Sequence, residues 1–284
     1  MPHEFSDLFA EFAGGGLDRR EFLRRLALIA GAAAVAGLPA SGKGRPASAQ
    51  IVAGDDPRLA AERITYPIES GSMKAYFARP KGDGKFPGVI VIHENRGLNP
   101  HTEDVARRVA LEGYLAVAPD ALSPFGGTPA NPDEARPLFQ KLDSAANIKN
   151  FAAAVQYLKT HPQSTGKVGC MGFCWGGGVT NQVAVHSPDL KAGAPFYGIQ
   201  PALGDVTKIK ASMLLHYAGQ DERINAGIKA YEEALKNAGV DFRTFMYEGA
   251  GHAFFNDTGA RYNKEAAQLA WERTLAFFKD KLKT

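Results

Sequence analysis

Short apolar runs alternate with longer amphipathic segments from Ile64 to the end of the chain. Runs rich in Val, Ile and Tyr are typical of strands, whereas apolar residues at every third or fourth position are typical of helices. The pattern predicts strands at 64–69, 73–78, 87–93, 114–118, 167–171, 192–196, 211–217 and 242–247, and helices at 102–112, 144–159, 178–185, 226–237 and 263–281. This alternation predicts an α/β fold, with a mostly parallel, twisted central sheet and helices on both faces.

Two segments depart from simple alternation. The first two strands are separated only by Ser70-Gly71-Ser72, so they are predicted to form a hairpin. Residues 121–137 are rich in Pro and Gly and predict a long loop, which is a natural rim for an active site.

The N-terminal segment has the order of an export signal. Residues 18–25 read Asp-Arg-Arg-Glu-Phe-Leu-Arg-Arg, an apolar run of 13 residues follows at 26–38, and Ala47-Ser48-Ala49 follows that. The arginine pair before Phe22-Leu23 resembles the twin-arginine motif, and the apolar run is too short to span a membrane. The alternative is an amphipathic helix packed on the domain, but the Ala- and Gly-rich residues 30–37 show no polar face.

The sequence therefore predicts a twin-arginine signal peptide at 1–49 and a single domain at 50–284. It further predicts recognition of the precursor by the twin-arginine export machinery, a periplasmic or secreted location, and no stable membrane anchor. Residues 1–49 hold six of the 33 Lys and Arg and five of the 30 Asp and Glu, so the remainder carries 27 against 25. This near balance does not favour a nucleic-acid partner.

The chain contains two cysteines, Cys170 and Cys174. On an extended strand they would lie roughly 13 Å apart, too far for a disulfide. They also lack neighbouring histidines at the spacing of a zinc site, so no metal is predicted there. One thiol is therefore expected to pack in the core and the other is available for chemistry.

Cys174 lies in Gly172-Phe173-Cys174-Trp175-Gly176, which follows an apolar strand and precedes a Gly-rich helix start. This is the setting of a nucleophile elbow, with Cys in the position of Ser. The helix N-terminus is expected to favour a thiolate and a developing oxyanion. The alternative is a tight turn that holds an inert, buried cysteine.

Two later segments favour the catalytic interpretation. Asp221 follows the strand at 211–217, and His252 lies in a Gly-rich loop after the strand at 242–247. Nucleophile, acid and histidine occur here in the chain order of an α/β-hydrolase triad. His252 would accept the thiol proton while Asp221 orients its ring.

The motifs resemble those of the dienelactone hydrolases. The matching segments are Gly172–Gly177, Ala218-Gly219-Gln220-Asp221, Gly251-His252 and Val91-Ile92-His93-Glu94-Asn95-Arg96-Gly97. The resemblance extends over nearly the whole body and implies a single α/β-hydrolase domain without a metal or organic cofactor. It also implies a small-molecule ester or lactone substrate and a triad of Cys174, Asp221 and His252.

The resemblance gives a further role to Glu94. In the family this glutamate contacts the resting thiol, and substrate binding moves the cysteine toward the histidine. A glutamate at the end of a buried strand is also a usable base on physical grounds. The alternative is a structural ion pair with Arg96 or Arg223. The oxyanion hole would use the backbone N–H groups of Trp175 and Asn95.

The substrate pocket departs from the family pattern. Well-known members bind an anionic lactone through arginines after the fourth strand and after the catalytic histidine. Here those positions read 119–125 and 253–256, and neither segment contains arginine. Candidate substitutes are Arg96, Arg223 and Arg261, and candidate apolar pocket residues are Phe125, Trp175, Phe254 and Phe255, which are as often core residues.

Two other classes of function stay open from the sequence. One is a protein that binds small molecules on the same fold without turnover, although such a protein has no physical reason to keep a complete triad. The other is a redox sensor of the cell envelope that uses Cys174 as a thiolate of low pKa. A sensor of that kind would lack a nearby resolving cysteine.

Overall fold

A computed structural model describes residues 51–284. Eight strands lie in this part of the chain: β1 (Leu59–Ile68), β2 (Gly71–Pro80), β3 (Phe86–Ile92), β4 (Leu115–Pro119), β5 (Ser164–Phe173), β6 (Leu190–Phe196), β7 (Ser212–Ala218) and β8 (Phe242–Tyr247). The α-helices of the same part are α1 (Pro100–Leu111), α2 (Pro132–Phe139), α3 (Ser144–Thr160), α4 (Trp175–His186), α5 (Glu222–Asn225), α6 (Ile228–Asn237) and α7 (Lys264–Leu282). Short 3₁₀ helices occur at Ser123–Phe125 and Leu203–Lys208.

The eight strands form one sheet in the order β1-β2-β4-β3-β5-β6-β7-β8. The first hairpin pairs antiparallel, and β2 also pairs antiparallel with β4. All pairs from β4 to β8 are parallel. The predicted α/β class and the mostly parallel sheet are therefore confirmed.

Apolar residues on the two faces of the sheet form two separate cores. One core packs α1 and α7 against the sheet, with Val105 and Phe278 among its fully buried members. The other packs α3, α4 and α6, with Phe151 and Tyr231 fully buried. Strands β3 and β4 contribute alternate residues to both cores, which is why their sequences are continuous apolar runs.

Three local predictions are corrected by the structure. The hairpin turns at Glu69-Ser70, because β2 already begins at Gly71. The predicted loop at 121–137 contains the 3₁₀ helix and most of α2, whose start is capped by the Asn131 side chain. Pro132 follows at the first helical position, where a proline costs no hydrogen bond because that N–H is unpaired in any helix.

The helix predicted at 226–237 begins at Ile228, as α6, and the four-residue helix α5 that precedes it is not predicted by the pattern. The two are joined at Ala226-Gly227, and a Cβ on Gly227 would lie 2.4 Å from the Gln200 side-chain oxygen. A larger residue at position 227 would therefore have to displace the Gln200 side chain. The Asn225 side chain donates to the Ala218 carbonyl oxygen and ties α5 to the end of β7.

The predicted signal peptide at 1–49 lies outside the described residues, so the division of the chain at residue 50 stays a prediction. None of the helices within residues 51–284 has the length and apolar character needed to cross a membrane.

The parallel strands bring the sites of interest to one edge of the sheet. Glu94 follows the end of β3, Cys174 follows β5, Asp221 follows β7 and His252 follows β8. Carboxyl ends of parallel strands meet at the same edge, which is where ligands bind in open α/β sheets.

Candidate active site

Cys174 occupies the sharp turn between β5 and α4. Its backbone has φ 57° and ψ −114°, a combination that an L-residue rarely adopts and that marks a strained turn. The adjacent glycines make the turn sterically feasible. A Cβ on Gly172 would meet the Gly176 carbonyl oxygen at 2.3 Å, and a Cβ on Gly176 would meet the His93 carbonyl oxygen at 2.4 Å. The turn at Cys174 therefore has the positive φ and the close backbone contacts that are expected of a nucleophile elbow.

The thiol of Cys174 is held in its neutral form. Burial raises its pKa to about 11, and the negative charge of Glu94 adds to the rise. The backbone N–H of Trp175 hydrogen-bonds the thiol and lowers the pKa, but less than burial raises it. The expectation that the helix N-terminus would favour a thiolate is therefore reversed, because desolvation and a neighbouring carboxylate outweigh it.

Asp221 and His252 form a hydrogen-bonded pair. Asp221 Oδ2 lies 2.5 Å from His252 Nδ1, and the Asp221 residue is 8% exposed. Nδ1 donates to the carboxylate, which directs the other ring nitrogen, Nε2, away from Asp221. Nε2 has no hydrogen-bond partner within residues 51–284. The pair thus has the arrangement in which a carboxylate orients a general base.

Glu94 contacts Asn256, which lies on the same loop as His252. Asn256 Nδ2 donates to Glu94 Oε2 at 2.8 Å. The other carboxylate oxygen, Oε1, is buried and has no hydrogen-bond partner in the described part of the chain. Within residues 51–284 Glu94 forms no ion pair with Arg96 or Arg223. The alternative interpretation, a structural ion pair, is therefore wrong for the described residues.

The backbone N–H groups of Trp175 and Asn95 are the predicted donors of an oxyanion hole. Trp175 is the first residue of α4, where a helix leaves its N–H groups unpaired. Asn95 lies in the exposed turn after β3, and its N–H has no hydrogen-bond partner among the described residues. The Asn95 N–H is therefore available to an anionic oxygen, whereas the Trp175 N–H would exchange its bond to the resting thiol for one to the oxyanion.

Residues 73–282 match the model of the dienelactone hydrolase family. This match covers more than half of the chain. The chain belongs to the dienelactone hydrolase family. The family consists of hydrolases, so the predicted class of enzyme is confirmed at that level.

Full-length relatives agree with this assignment to the dienelactone hydrolase family. A Synechocystis protein named "Putative carboxymethylenebutenolidase" is 34% identical over 78% of this chain and 96% of its own length. A protein of the same name from Escherichia coli K12 is 33% identical over 82% of this chain and 92% of its own. The crystal structure of a "Putative Dienelactone Hydrolase" from Klebsiella pneumoniae superposes with a TM-score of 0.70 at 31% identity. It covers 78% of this chain and 98% of that one, which confirms the predicted α/β-hydrolase fold.

Two of the three candidate arginines lie near the Cys174 thiol. The positive charges of Arg223 and Arg261 act on Cys174 and lower its pKa, which partly offsets the effect of burial. Both side chains are exposed and neither forms an ion pair within residues 51–284. Arg96 is exposed in the turn after β3, without such an effect on the thiol.

The predicted aromatic pocket residues are dispersed. Phe254 has no exposed surface and packs against Tyr197 and Tyr247, so it belongs to the core and offers nothing to a ligand. Phe125 is 40% exposed in the 3₁₀ helix. Phe255 stacks on Phe173 at 4.9 Å and borders a cavity of about 380 Å³ that none of the proposed triad residues lines.

Sequence reasoning missed three residues of the site. Asn256 holds Glu94, Tyr197 packs edge-on against the His252 ring at 5.1 Å, and His93 lies beneath Trp175. Tyr197 has φ 39°, which places it in the left-handed region directly after β6. The signal available in the sequence was position: Asn256 follows His252 by four residues, and His93 precedes Glu94 by one.

Proposed function

We propose that this protein hydrolyses an ester or lactone through a triad of Cys174, His252 and Asp221. Substrate binding transfers the thiol proton to His252 Nε2, and Sγ attacks the carbonyl carbon. The carbonyl oxygen becomes an oxyanion that the N–H groups of Trp175 and Asn95 stabilise. The carbon–oxygen bond to the leaving group then breaks, and His252 returns the proton to the departing alkoxide. The product of this half-reaction is a thioester on Cys174.

The second half-reaction hydrolyses the thioester. Water attacks the thioester carbonyl while His252 removes one of its protons, and the same two N–H groups stabilise the second oxyanion. The carbon–sulfur bond breaks, the proton returns to sulfur, and the carboxylic acid product leaves. In a lactone the alcohol and the acid belong to one molecule, so ring opening gives a single hydroxy acid.

The observation that carries this proposal is the Asp221–His252 hydrogen bond at the same sheet edge as the strained elbow. A binding protein would need neither a carboxylate that orients a partly exposed imidazole nor a cysteine at positive φ. A redox sensor would need a thiolate, yet burial and Glu94 raise the thiol pKa to about 11. The geometry therefore favours the hydrolase over both alternatives.

The substrate class follows from the charges near the thiol. Arg223 lies in α5 directly after Asp221, Arg261 lies in the loop after His252, and neither forms an ion pair within residues 51–284, so they are placed to attract an anionic substrate. A panel that compares neutral aryl esters with carboxylate-bearing lactones tests this. If both arginines matter, Arg223→Gln and Arg261→Gln will raise KM for the anionic lactones and leave KM for neutral esters unchanged.

Turnover of aryl esters by two cysteine variants tests the nucleophile. Cys174→Ala should reduce kcat by at least about 10³-fold, because the covalent intermediate can no longer form. Cys170→Ala is the matched control, since Cys170 lies four residues earlier, is fully buried in the core and hydrogen-bonds Thr180. Undiminished turnover in Cys174→Ala would refute the mechanism, and so would an equal loss in both variants.

We also propose that residues 1–49 direct export by the twin-arginine route, so that the mature protein is periplasmic or secreted. Support comes from the order of charged, apolar and small residues in the sequence. Fractionation of a bacterial host tests it. Replacement of Arg19 and Arg20 by Lys should retain the precursor in the cytoplasm, whereas the same change at Arg24 and Arg25 serves as the control.

A further inference from the structure

The imidazole of His93 lies fully buried behind the proposed oxyanion hole, and the catalytic steps above do not use it. Its Nδ1 lies 2.6 Å from the carbonyl oxygen of Glu94, and its Nε2 lies 3.1 Å from the backbone nitrogen of Ala121. Its ring stacks on the Trp175 indole with centroids 5.5 Å apart and planes only 9° from parallel. One neutral ring therefore contacts three backbone segments that converge on the site.

The two hydrogen bonds determine which tautomer is present. Ala121 N–H is a donor, so Nε2 must be the acceptor and carries no proton. The ring proton is then on Nδ1, which donates to the Glu94 carbonyl. Burial lowers the pKa of His93, so this neutral form persists at neutral pH.

The bond to Glu94 sets the direction of the next N–H group. The Glu94 carbonyl and the Asn95 N–H belong to one trans peptide group, in which the two point in opposite directions. Fixing the carbonyl against His93 therefore aims the Asn95 N–H away from the core. That N–H has no hydrogen-bond partner in the described part of the chain.

His93 also contacts Trp175, the residue that carries the second proposed donor. Trp175 carries the other proposed oxyanion N–H, and its indole rests flat on the His93 ring. The edges of Phe139 and Phe151 also contact the indole, at 5.0 and 5.9 Å between ring centroids. These three contacts confine the start of α4 relative to the end of β3.

We propose that His93 is a positioning residue for the oxyanion hole: it orients the Glu94–Asn95 peptide and supports Trp175, so that both N–H groups face one oxygen. This role rests on the proposed hydrolase function. It assigns His93 to stabilisation of the tetrahedral intermediate, whereas the thiol and the base act independently of it.

Two near-isosteric variants separate the two hydrogen bonds. In His93→Asn the side-chain amide nitrogen lies where Nδ1 lies and can still donate to the Glu94 carbonyl. In His93→Gln the side-chain amide reaches the position of Nε2, so the bond to Ala121 survives and the bond to Glu94 is lost. We expect kcat for aryl esters to fall about 10²-fold in His93→Gln and about tenfold or less in His93→Asn, with KM little changed.

The rate at which iodoacetamide alkylates Cys174 distinguishes a loss of oxyanion stabilisation from general damage to the site. Alkylation forms no oxyanion and depends on the His93 variants only through the thiol pKa, which the Trp175 N–H lowers, so its rate should change far less than kcat in both variants. The proposal would be overturned if the two variants lost the same amount of kcat in proportion to their loss of thermal stability. A wild-type kcat in His93→Gln would also overturn it. Turnover that persists in Cys174→Ala would instead refute the proposed function.

A third variant keeps the proposal testable if His93→Gln fails to fold. Trp175→Leu leaves both hydrogen bonds of His93 in place and removes the flat surface on its ring. We expect about a tenfold lower kcat and a much smaller change in the alkylation rate. An unchanged kcat would show that support of Trp175 by His93 has no role in turnover.

Discussion

The two sides of Cys174 differ in how their residues are held. On the β7–β8 side, the proton-transfer side, Asp221 and His252 form one short hydrogen bond, and the His252 side chain is 18% exposed. On the β3 side, the oxyanion side, His93 is fully buried and uses both ring nitrogens. A base must release its proton to substrate and water, whereas an oxyanion hole must keep its shape during the reaction.

The different roles proposed for the two imidazoles follow from their surroundings. His252 keeps Nε2 without a partner in the described residues and stays partly exposed, so it can exchange protons. His93 has a lowered pKa because it is buried, so it acts as a fixed donor and acceptor. Exposure and hydrogen bonding decide between a catalytic and a positioning imidazole.

The largest expected effect comes from breaking the proton-transfer side. Asp221→Asn should lower kcat by about 10³- to 10⁴-fold, because an amide at this position favours the wrong tautomer of His252. Steady-state kinetics of aryl ester hydrolysis measure it. The double variant Asp221→Asn with His252→Gln should be no slower than His252→Gln alone, because Asp221 acts through the imidazole. Losses that multiply in the double variant would contradict this.

Glu94 lies where the two sides meet, and its removal should have the next largest effect. Glu94→Gln should lower kcat by about 10²-fold if the carboxylate takes part in proton transfer. The same change should lower the pKa of Cys174, because the negative charge of Glu94 raises it. The pH profile of alkylation measures the second effect directly. An alkylation profile identical to wild type would show that Glu94 does not act on the thiol.

Asn256 joins the two sides, and we expect a smaller effect from it. Asn256→Asp keeps the acceptor for Thr258 but makes the contact with Glu94 repulsive. We expect about a tenfold lower kcat and a further rise in the pKa of Cys174. Thr258→Val is the matched control, since it removes only the hydroxyl that donates to Asn256. Equal effects of the two variants would assign the loss to the loop and not to Glu94.

The smallest effect concerns stability in acid. Burial lowers the pKa of His93, and it lowers that of His216 to about 3. Both groups therefore stabilise the fold fully above the unfolded pKa of about 6.5 and lose this contribution as the pH falls further. For His216 the loss at pH 5 is about 2 kcal/mol.

Urea unfolding at pH 7 and pH 5 checks this prediction. His216→Asn should reduce the difference in the free energy of unfolding between the two pH values, and His93→Asn should reduce it independently. Exposed His186, at the end of α4, is the control, since His186→Asn should leave the difference unchanged. A difference that neither buried histidine alters would mean that carboxylates control acid unfolding.

Periodicity predicted the strand at 242–247 exactly as observed because its six residues are bounded by turn residues on both sides. It failed at α2, because the Pro and Gly content of residues 121–137 indicated a loop. It also missed α5, which has only four residues and is too short to show a helical period. Local patterns predict elements long enough to repeat, but a single helical turn is invisible to them.

Among the candidate site residues, those that rest on chain order could be predicted from the sequence and those that rest on packing could not. Cys174, Asp221 and His252 each follow a strand, so their convergence at one sheet edge follows from the order of elements. Phe254 was placed in a pocket by its proximity in sequence to His252, yet it lies in the core. Which face of a loop is buried is decided by the elements that pack on it.

The sequence by itself determined the α/β class, the family and the three residues proposed as the triad, because each rests on local order along the chain. Only the tertiary structure decided the state of Cys174, whose pKa depends on burial and on a carboxylate 80 residues away. Only the tertiary structure revealed His93 beneath Trp175 and Asn256 against Glu94. Electrostatic and packing energies depend on distances in space, and these form only when distant segments fold together.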